Sequence, residues 1–145
     1  MNMAPAQLAE HLQRPVPEHV RTRARLHLLD WLACVAGARR TEVADVVRKS
    51  ERDPLARCAV LGNFLEMDDV HRAALLHPGP IVWTAALCAA RDEAASIDTL
   101  LDGAVLGYEA MIAVGATLDA YHYAHWYTTA TAGFFGSAAA ANAAL

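Results

Sequence analysis

Apolar residues recur at helical spacing along most of the chain, and no segment shows the polar–apolar alternation of a half-buried strand. Positions three and four residues apart share one face of an α-helix, whereas side chains of a strand repeat every second residue. The pattern therefore predicts an all-α fold of about six helices without a sheet. At 145 residues the chain has the size of one ordinary domain, so we expect a single helical domain over residues 1–145.

Residues that favour helix starts mark several boundaries. Thr41 and Ser96 each precede a run with helical periodicity, and Asp53-Pro54 opens another. Residues 97–121 are predicted to form one long helix that begins at Ser96. The acids and histidines that follow residue 64 are therefore placed at the carboxyl end of a helix.

Glycines and large apolar residues predict how the helices pack. Gly103 and Gly107 lie one turn apart, with Gly115 near the same face, which predicts a close approach between helices. In the helix that follows Pro17, one broad apolar face is predicted from Val20, Leu26, Leu29, Trp31, Leu32 and Val35. We expect Trp31, Trp83 and Phe134 in the core, and His27 on the surface of an arginine-rich helix.

Charge and cysteine content exclude several classes of protein. The formal net charge of −4 argues against nucleic-acid binding, which needs a basic surface. Three widely spaced cysteines in apolar runs predict reduced thiols in the cytoplasm. Residues 120–145 contain no charged residue apart from histidine, but their threonines, tyrosines and asparagine predict a buried helix and not a membrane span.

The segment LEMDDVHRAALLHPGP, residues 65–80, concentrates five acids and histidines in an otherwise apolar chain: Glu66, Asp68, Asp69, His71 and His77. Carboxylates at the carboxyl end of a helix oppose its dipole, so stability alone does not favour them there. A rigid Pro-Gly-Pro loop beside a histidine is typical of a functional site. A solvated helix end and one wall of an active site both remain open.

Two kinds of chemistry fit these residue types. Aspartate and histidine can bind zinc, iron or manganese, but no Glu-x-x-His pair or HExxH motif accompanies them, so we expect no metal site. Histidine with aspartate can also supply an acid and a base for proton transfer beside a carboxylate. No serine or cysteine triad and no glycine-rich phosphate loop can be recognised in the sequence.

Four blocks together resemble the N-terminal helical domain of the MmgE/PrpD family: LLDWLACVAGA, ARCAVLGNFLEMDDVH…HPG, DGAVLGYEAMIAVG and TTATAGFFGSAAAANAAL. That family includes 2-methylcitrate dehydratase, cis-aconitate decarboxylase and iminodisuccinate epimerase. The resemblance implies a large helical domain joined to a smaller α/β lid, with the active site between them. It also implies a small polycarboxylate substrate, no metal or organic cofactor, and a homodimer.

The acids and histidines of the family pattern Leu-Asp-aromatic-Asp-Asp-Thr-His, followed by His-Pro, are matched in this chain by Asp68, Asp69, His71 and His77. The resemblance assigns catalytic roles to His77, Asp69 and Asp68. It implies substrate-binding roles for Glu66, His71, Tyr127 and His125. Glu66 stands where aspartate is usual, Val70 replaces threonine, and Tyr127 occupies the usual place of a histidine, with His125 two residues earlier.

Family members are much longer, and their catalytic lysine and lid tyrosine would lie beyond residue 145. We therefore expect a chain truncated relative to the family, and two hypotheses follow. In the first, the chain is a lyase or isomerase component, similar to 2-methylcitrate dehydratase, that is completed by a second chain supplying the lid. In the second, it is a non-catalytic remnant or oligomerisation module. Both predict a homo-oligomer or a complex, with no contact to nucleic acid or membrane.

Overall fold

A computed structural model of the chain describes residues 5–143, which form eight α-helices. Their bounds are α1 Pro5–His11, α2 Glu18–Ala38, α3 Glu42–Ser50, α4 Pro54–Phe64, α5 Gly79–Asp92, α6 Ile97–Gly115, α7 Ala120–His125 and α8 Thr128–Asn142. In this part of the chain the only strand-like pairing is an isolated bridge between His71 and Leu76. The all-α prediction is confirmed, and the two helices beyond the expected six are the short α1 and α7.

Side-chain caps fix the starts of α4 and α6 as predicted. Asp53 Oδ1 accepts hydrogen bonds from the amides two and three residues further on, at 2.7 and 3.2 Å. Ser96 Oγ accepts from the amide three residues on, at 3.1 Å. Each bond satisfies an amide that has no partner within its helix. Thr41 also precedes a helix, but its hydroxyl donates to a preceding carbonyl oxygen instead of capping α3.

The prediction of one helix over residues 97–121 was wrong, because α6 ends at Gly115 and α7 starts separately. Asp119 causes the restart: its Oδ1 accepts from the backbone N–H of His122 at 2.9 Å. An aspartate in this position favours a new helix start over continuation. Residues 116–119 therefore separate α6 from α7.

Helix α5 occupies the centre and contacts α2, α4, α6 and α8, while α6 packs most extensively on α8. Small residues allow this approach, as predicted. A Cβ atom at Gly103 would lie 2.6 Å from the carbonyl oxygen of Ala140, and one at Gly107 would lie 2.9 Å from that of Gly136. Trp31 and Trp83 are buried as expected.

One packing prediction was only partly right and another was wrong. Of the apolar face predicted for α2, Trp31 and Val35 are buried. Leu26, Leu29 and Leu32 are exposed, because the buried side of α2 is narrower than predicted. Phe134 is 79% exposed, since α8 meets α6 and α5 through its glycines and alanines and turns its phenylalanines outward.

No helix within residues 5–143 combines the length and the hydropathy needed to cross a membrane. All three cysteines are free thiols, and Cys34 is buried as expected. Burial is the main reason why the pKa of each thiol is raised. The thiols therefore remain protonated under neutral conditions.

Candidate functional site

The acids and histidines of residues 66–77 lie in the loop that joins α4 to α5. The backbone N–H of His71 donates to the carbonyl oxygen of Leu76 at 2.9 Å, and His71 Nδ1 accepts from the amide of Ala74 at 3.2 Å. Leu76 is fully buried and anchors the loop in the core. His71, a predicted substrate-binding residue, thus closes this loop and does not line the cleft beside it.

Asp68 and His77 form a buried pair at the centre of the loop. His77 Nδ1 lies 3.1 Å from Oδ2 of Asp68, whose side chain is inaccessible to solvent. The Asn63 side-chain amide also donates to this carboxylate, at 3.1 and 3.3 Å from its two oxygens. The backbone N–H of His77 donates to Thr129 Oγ1 at 3.0 Å, which ties the loop to α8.

This arrangement fixes the orientation of the His77 ring. A carboxylate only accepts hydrogen bonds, so the imidazole nitrogen beside Asp68 is the one that carries the proton. The other nitrogen, Nε2, is left without a strong partner; the nearest acid, Glu66, is 3.9 Å away. In the neutral form of the ring, Nε2 is therefore the nitrogen without a proton, and it can accept one from a bound molecule.

His77 lines a cleft of about 740 Å³ between α4, α5 and α8. Its polar residues include Asn63, Glu66, Tyr127 and Thr129, and most of the remaining wall is apolar. A concave surface with a few convergent polar groups is the usual form of a small-molecule site. Of the predicted site residues, the structure brings Glu66, His77 and Tyr127 to this cleft, with Asp68 directly behind His77.

Asp69 is placed on a different side of the loop from Asp68. Its Oδ1 accepts from the amide of Gly79 at 3.0 Å, and its Oδ2 accepts from the Tyr108 hydroxyl at 2.6 Å. His27 Nδ1 lies 3.1 Å from the same Oδ2. Adjacent residues in a non-helical loop can point apart, so Asp69 fixes the start of α5 and does not line the cleft.

His125 is also absent from the cleft. It lies in α7, where its Nδ1 is 2.8 Å from the carbonyl oxygen of Tyr121 and its ring packs on the Tyr121 ring. The start of α8 at Thr128 instead leaves Tyr127 on the cleft wall.

Four functional neighbours were not predicted from the sequence: Asn63, Thr129, His27 and Tyr108. Asn63 and Thr129 lie inside the quoted sequence blocks. Each is a polar residue among small apolar ones, and this contrast could have marked it as a candidate site residue. His27 remains partly exposed, as the surface assignment implies, but that assignment missed its contact with Asp69 and its packing 5.6 Å from the centre of the Tyr108 ring. Its partner is 42 residues away in sequence, so no local pattern could reveal the contact.

Tyr108 joins Asp69 to the core, and we expect Tyr108→Phe to destabilise the domain by about 1–3 kcal/mol. The hydroxyl donates to Asp69 and accepts from Trp83 Nε1 at 3.1 Å, so its loss leaves the Trp83 N–H without this acceptor and removes the 2.6 Å hydrogen bond to Asp69. Burial, and then the Asp69 charge, raise the pKa of Tyr108. Urea unfolding of wild type and variant measures the difference in free energy.

The raised pKa also predicts how this difference changes with pH. Above about pH 10 the unfolded chain releases the tyrosine proton while the folded chain retains it, so wild-type stability falls by about 1.4 kcal/mol per pH unit. Phenylalanine does not titrate, so the stability of the variant lacks this decrease. The difference in the free energy of unfolding between the two proteins should therefore narrow as the pH rises past that value. If this difference in the free energy of unfolding stayed constant up to about pH 11, the result would contradict the buried position of the hydroxyl.

Within residues 5–143, no three histidine, cysteine, aspartate or glutamate side chains converge where they could hold a metal ion. The pairs at His77 and His27 are each satisfied by carboxylate and amide partners.

Comparison with known proteins gives one match. A family model, the MmgE/PrpD N-terminal domain, matches residues 55–145, which are well over half of the chain and include the loop, the Asp68–His77 pair and the cleft. No curated protein and no solved structure matches. The match contains three of the four sequence blocks, while LLDWLACVAGA lies outside it. The resemblance to the family is confirmed, and the chain belongs to the MmgE/PrpD family through its N-terminal domain.

Proposed function

We propose that the cleft forms one wall of the active site of a lyase or isomerase that acts on a small polycarboxylate, in the manner of a 2-methylcitrate dehydratase. The observation that supports this most directly is the Asp68–His77 pair, with its free Nε2 at the cleft. His77 is assigned as the catalytic acid–base group. Asp68 and Asn63 are positioning residues, since they act through the imidazole ring.

The proposed step begins with removal of a proton from the carbon next to a substrate carboxylate. His77 Nε2 accepts this proton, and the electron pair of the broken C–H bond forms a carbon–carbon double bond as the neighbouring hydroxyl departs. The departing hydroxide takes up a proton from solvent and leaves as water, and the imidazolium of His77 then releases its proton to solvent, so that no net proton is gained or lost. Glu66, 3.9 Å from Nε2, stabilises the positively charged imidazolium that forms. Tyr127 can donate a hydrogen bond to a substrate oxygen from the cleft wall.

A polycarboxylate also needs positive charge around it, and the cleft supplies none. Among the described residues that line it, there is no lysine or arginine. Carboxylates are normally held by guanidinium or ammonium groups. The proposal therefore includes further polypeptide, from a lid or a second chain, that brings cationic groups over His77 and excludes water.

The test uses the protein isolated with its partners from its own cells. A panel of citrate-like acids is incubated in D₂O, and loss of the proton beside each carboxylate is followed by NMR. Replacing His77 with alanine should lower the exchange rate by about 10²–10⁴-fold, since this removes the proton acceptor. His19→Ala, an exposed histidine of α2, is the matched control and should leave the rate unchanged. An exchange rate that survives His77→Ala would overturn the proposal.

A second candidate function is that of an assembly module. Exposed aromatic side chains cluster in sequence on α7, α8 and their connection, namely Tyr121, Tyr123, Trp126, Tyr127, Phe134 and Phe135. Large exposed apolar surfaces often mark contacts between proteins. Native mass spectrometry that finds only a homo-oligomer, together with no proton exchange on any acid of the panel, would favour this function over catalysis.

A further inference from the structure

A second concave surface, which we call the arginine groove, lies between α2, α3 and α4. Its volume is about 320 Å³, and its floor is apolar, with Leu32, Val35 and Leu61 among the residues that form it. Helix α4 presents a different face to this groove from the one it presents to the His77 cleft, since no residue lines both. The groove is therefore separate from the proposed active site.

The charge of the groove is unusual for this chain. Three arginines line it, Arg39, Arg48 and Arg57, and none of the described residues that line it is an aspartate or a glutamate. The whole chain carries a formal charge of −4, so the lining of the groove is positive although the chain as a whole is negative. A positive rim around an apolar floor favours a ligand with a negative head and an apolar body.

Two of these guanidinium groups lack a carboxylate partner among residues 5–143. Arg39 directly follows α2 and makes no side-chain hydrogen bond or ion pair with any described residue. Arg57 is held by two backbone carbonyl oxygens, those of Glu51 at 2.6 Å and Arg52 at 3.2 Å. These bonds fix the Arg57 side chain in place without neutralising its charge.

The nearby acids have other partners. Asp53 caps α4 and forms an ion pair with Arg91 at 3.2 Å. Glu51 accepts a hydrogen bond from the amide of Asp53 at 2.9 Å. Asp45 pairs with Arg48 at 2.8 Å on the exposed side of α3, which makes Arg48 the least available of the three arginines. Arg39 and Arg57 therefore carry the uncompensated positive charge.

From this charge and shape we propose that the arginine groove is a binding site for a short alkyl carboxylate, held at its head by Arg39 and Arg57 and along its chain by the apolar floor. At about 30 Å³ for each water-sized group, a groove of about 320 Å³ has room for about ten non-hydrogen atoms. Octanoate has this size. Arginine suits the head because its planar donors match a carboxylate.

Isothermal titration calorimetry of the intact protein with octanoate tests this site. We expect saturable binding that weakens as salt is added, because part of the affinity comes from exposed charges. Arg39→Gln should weaken binding about ten-fold, as expected for one lost charge-assisted contact. Because Arg39 is exposed and its side chain makes no hydrogen bond or ion pair with any described residue, this variant should fold like the wild type. Arg40→Gln, the adjacent exposed arginine outside the groove, is the control and should bind octanoate normally.

Two further ligands separate a specific site from simple adhesion to an apolar surface. Octanol has the alkyl chain without the charge, and acetate has the charge without the chain, so each should bind at least about ten-fold more weakly than octanoate. The proposal is overturned if octanol binds as well as octanoate, or if Arg39→Gln and Arg40→Gln bind octanoate equally. It is also overturned if octanoate does not bind at all.

Discussion

Replacing Gly62 with alanine is expected to lower the free energy of unfolding by about 3 kcal/mol. Gly62 lies in α4 directly against the buried indole of Trp31. A Cβ atom at this position would collide with Trp31 Nε1 and lie 2.8 Å from Cδ1 of the same ring. The indole has little room to move away, because Trp31 is 2% exposed and enclosed by the core. The gain of about 1 kcal/mol from alanine in a helix is smaller than this cost.

Urea unfolding followed by circular dichroism measures this effect, and Gly37→Ala provides the matched control. Gly37 is also a helical glycine, but it is exposed, and a Cβ atom there meets only the end of the Leu65 side chain at 3.1 Å. The control should be neutral or slightly stabilising, since alanine favours a helix over glycine. Equal stability changes at the two positions would show that α4 does not pack on Trp31 as described.

Replacing Asp68 with asparagine is expected to lower proton exchange by about 10²–10⁴-fold while the protein stays folded. The carboxylate receives donors from both Asn63 and His77. The asparagine amide replaces one of the two acceptor oxygens by an N–H₂ donor, and where that donor faces the imidazole it favours a proton-free Nδ1. The imidazole proton would then move to Nε2, which could no longer accept a proton from the substrate.

The control for Asp68→Asn is Asp45→Asn on the exposed face of α3. Asp45 makes only a surface ion pair with Arg48, so the same chemical change there should leave exchange unaltered. Circular dichroism of both variants establishes that any loss of exchange is not a loss of folding. If Asp68→Asn exchanges protons at the wild-type rate, Asp68 does not control the state of His77.

Local chemistry explains which features of the fold could be predicted from the sequence. Asp53 and Ser96 cap helices through amides two or three residues away, and the glycines of α6 mark a close contact by their size alone. Asp119 is the same kind of capping residue, and it could have predicted the new helix start. It was overlooked because the helical pattern is strong on both sides of it. Phe134 was misplaced because composition does not tell which face of an alanine-rich helix is turned inward.

The candidate site was predictable in position and not in detail. The cluster of residues 66–77 was found from its residue types. Two of its predicted members, Glu66 and His77, line the cleft, and Asp68 contacts His77 from behind. The different partners of Asp68 and Asp69 could not be deduced, because His77 is 9 residues from Asp68 and His27 is 42 residues from Asp69. Such pairings depend on how α2, α5 and α6 pack, which no local pattern encodes.

The most direct test of the central claim is the protonation state of the His77 ring in the wild-type protein. Long-range proton–nitrogen NMR of ¹⁵N-histidine protein distinguishes the two neutral tautomers, and the His77 signals are identified by their absence in His77→Ala. The Asp68–His77 geometry predicts a proton on Nδ1 and an unprotonated Nε2. A proton on Nε2, or the averaged signal of a free imidazole, would contradict the proposal that Asp68 holds His77 ready to accept a proton in the cleft.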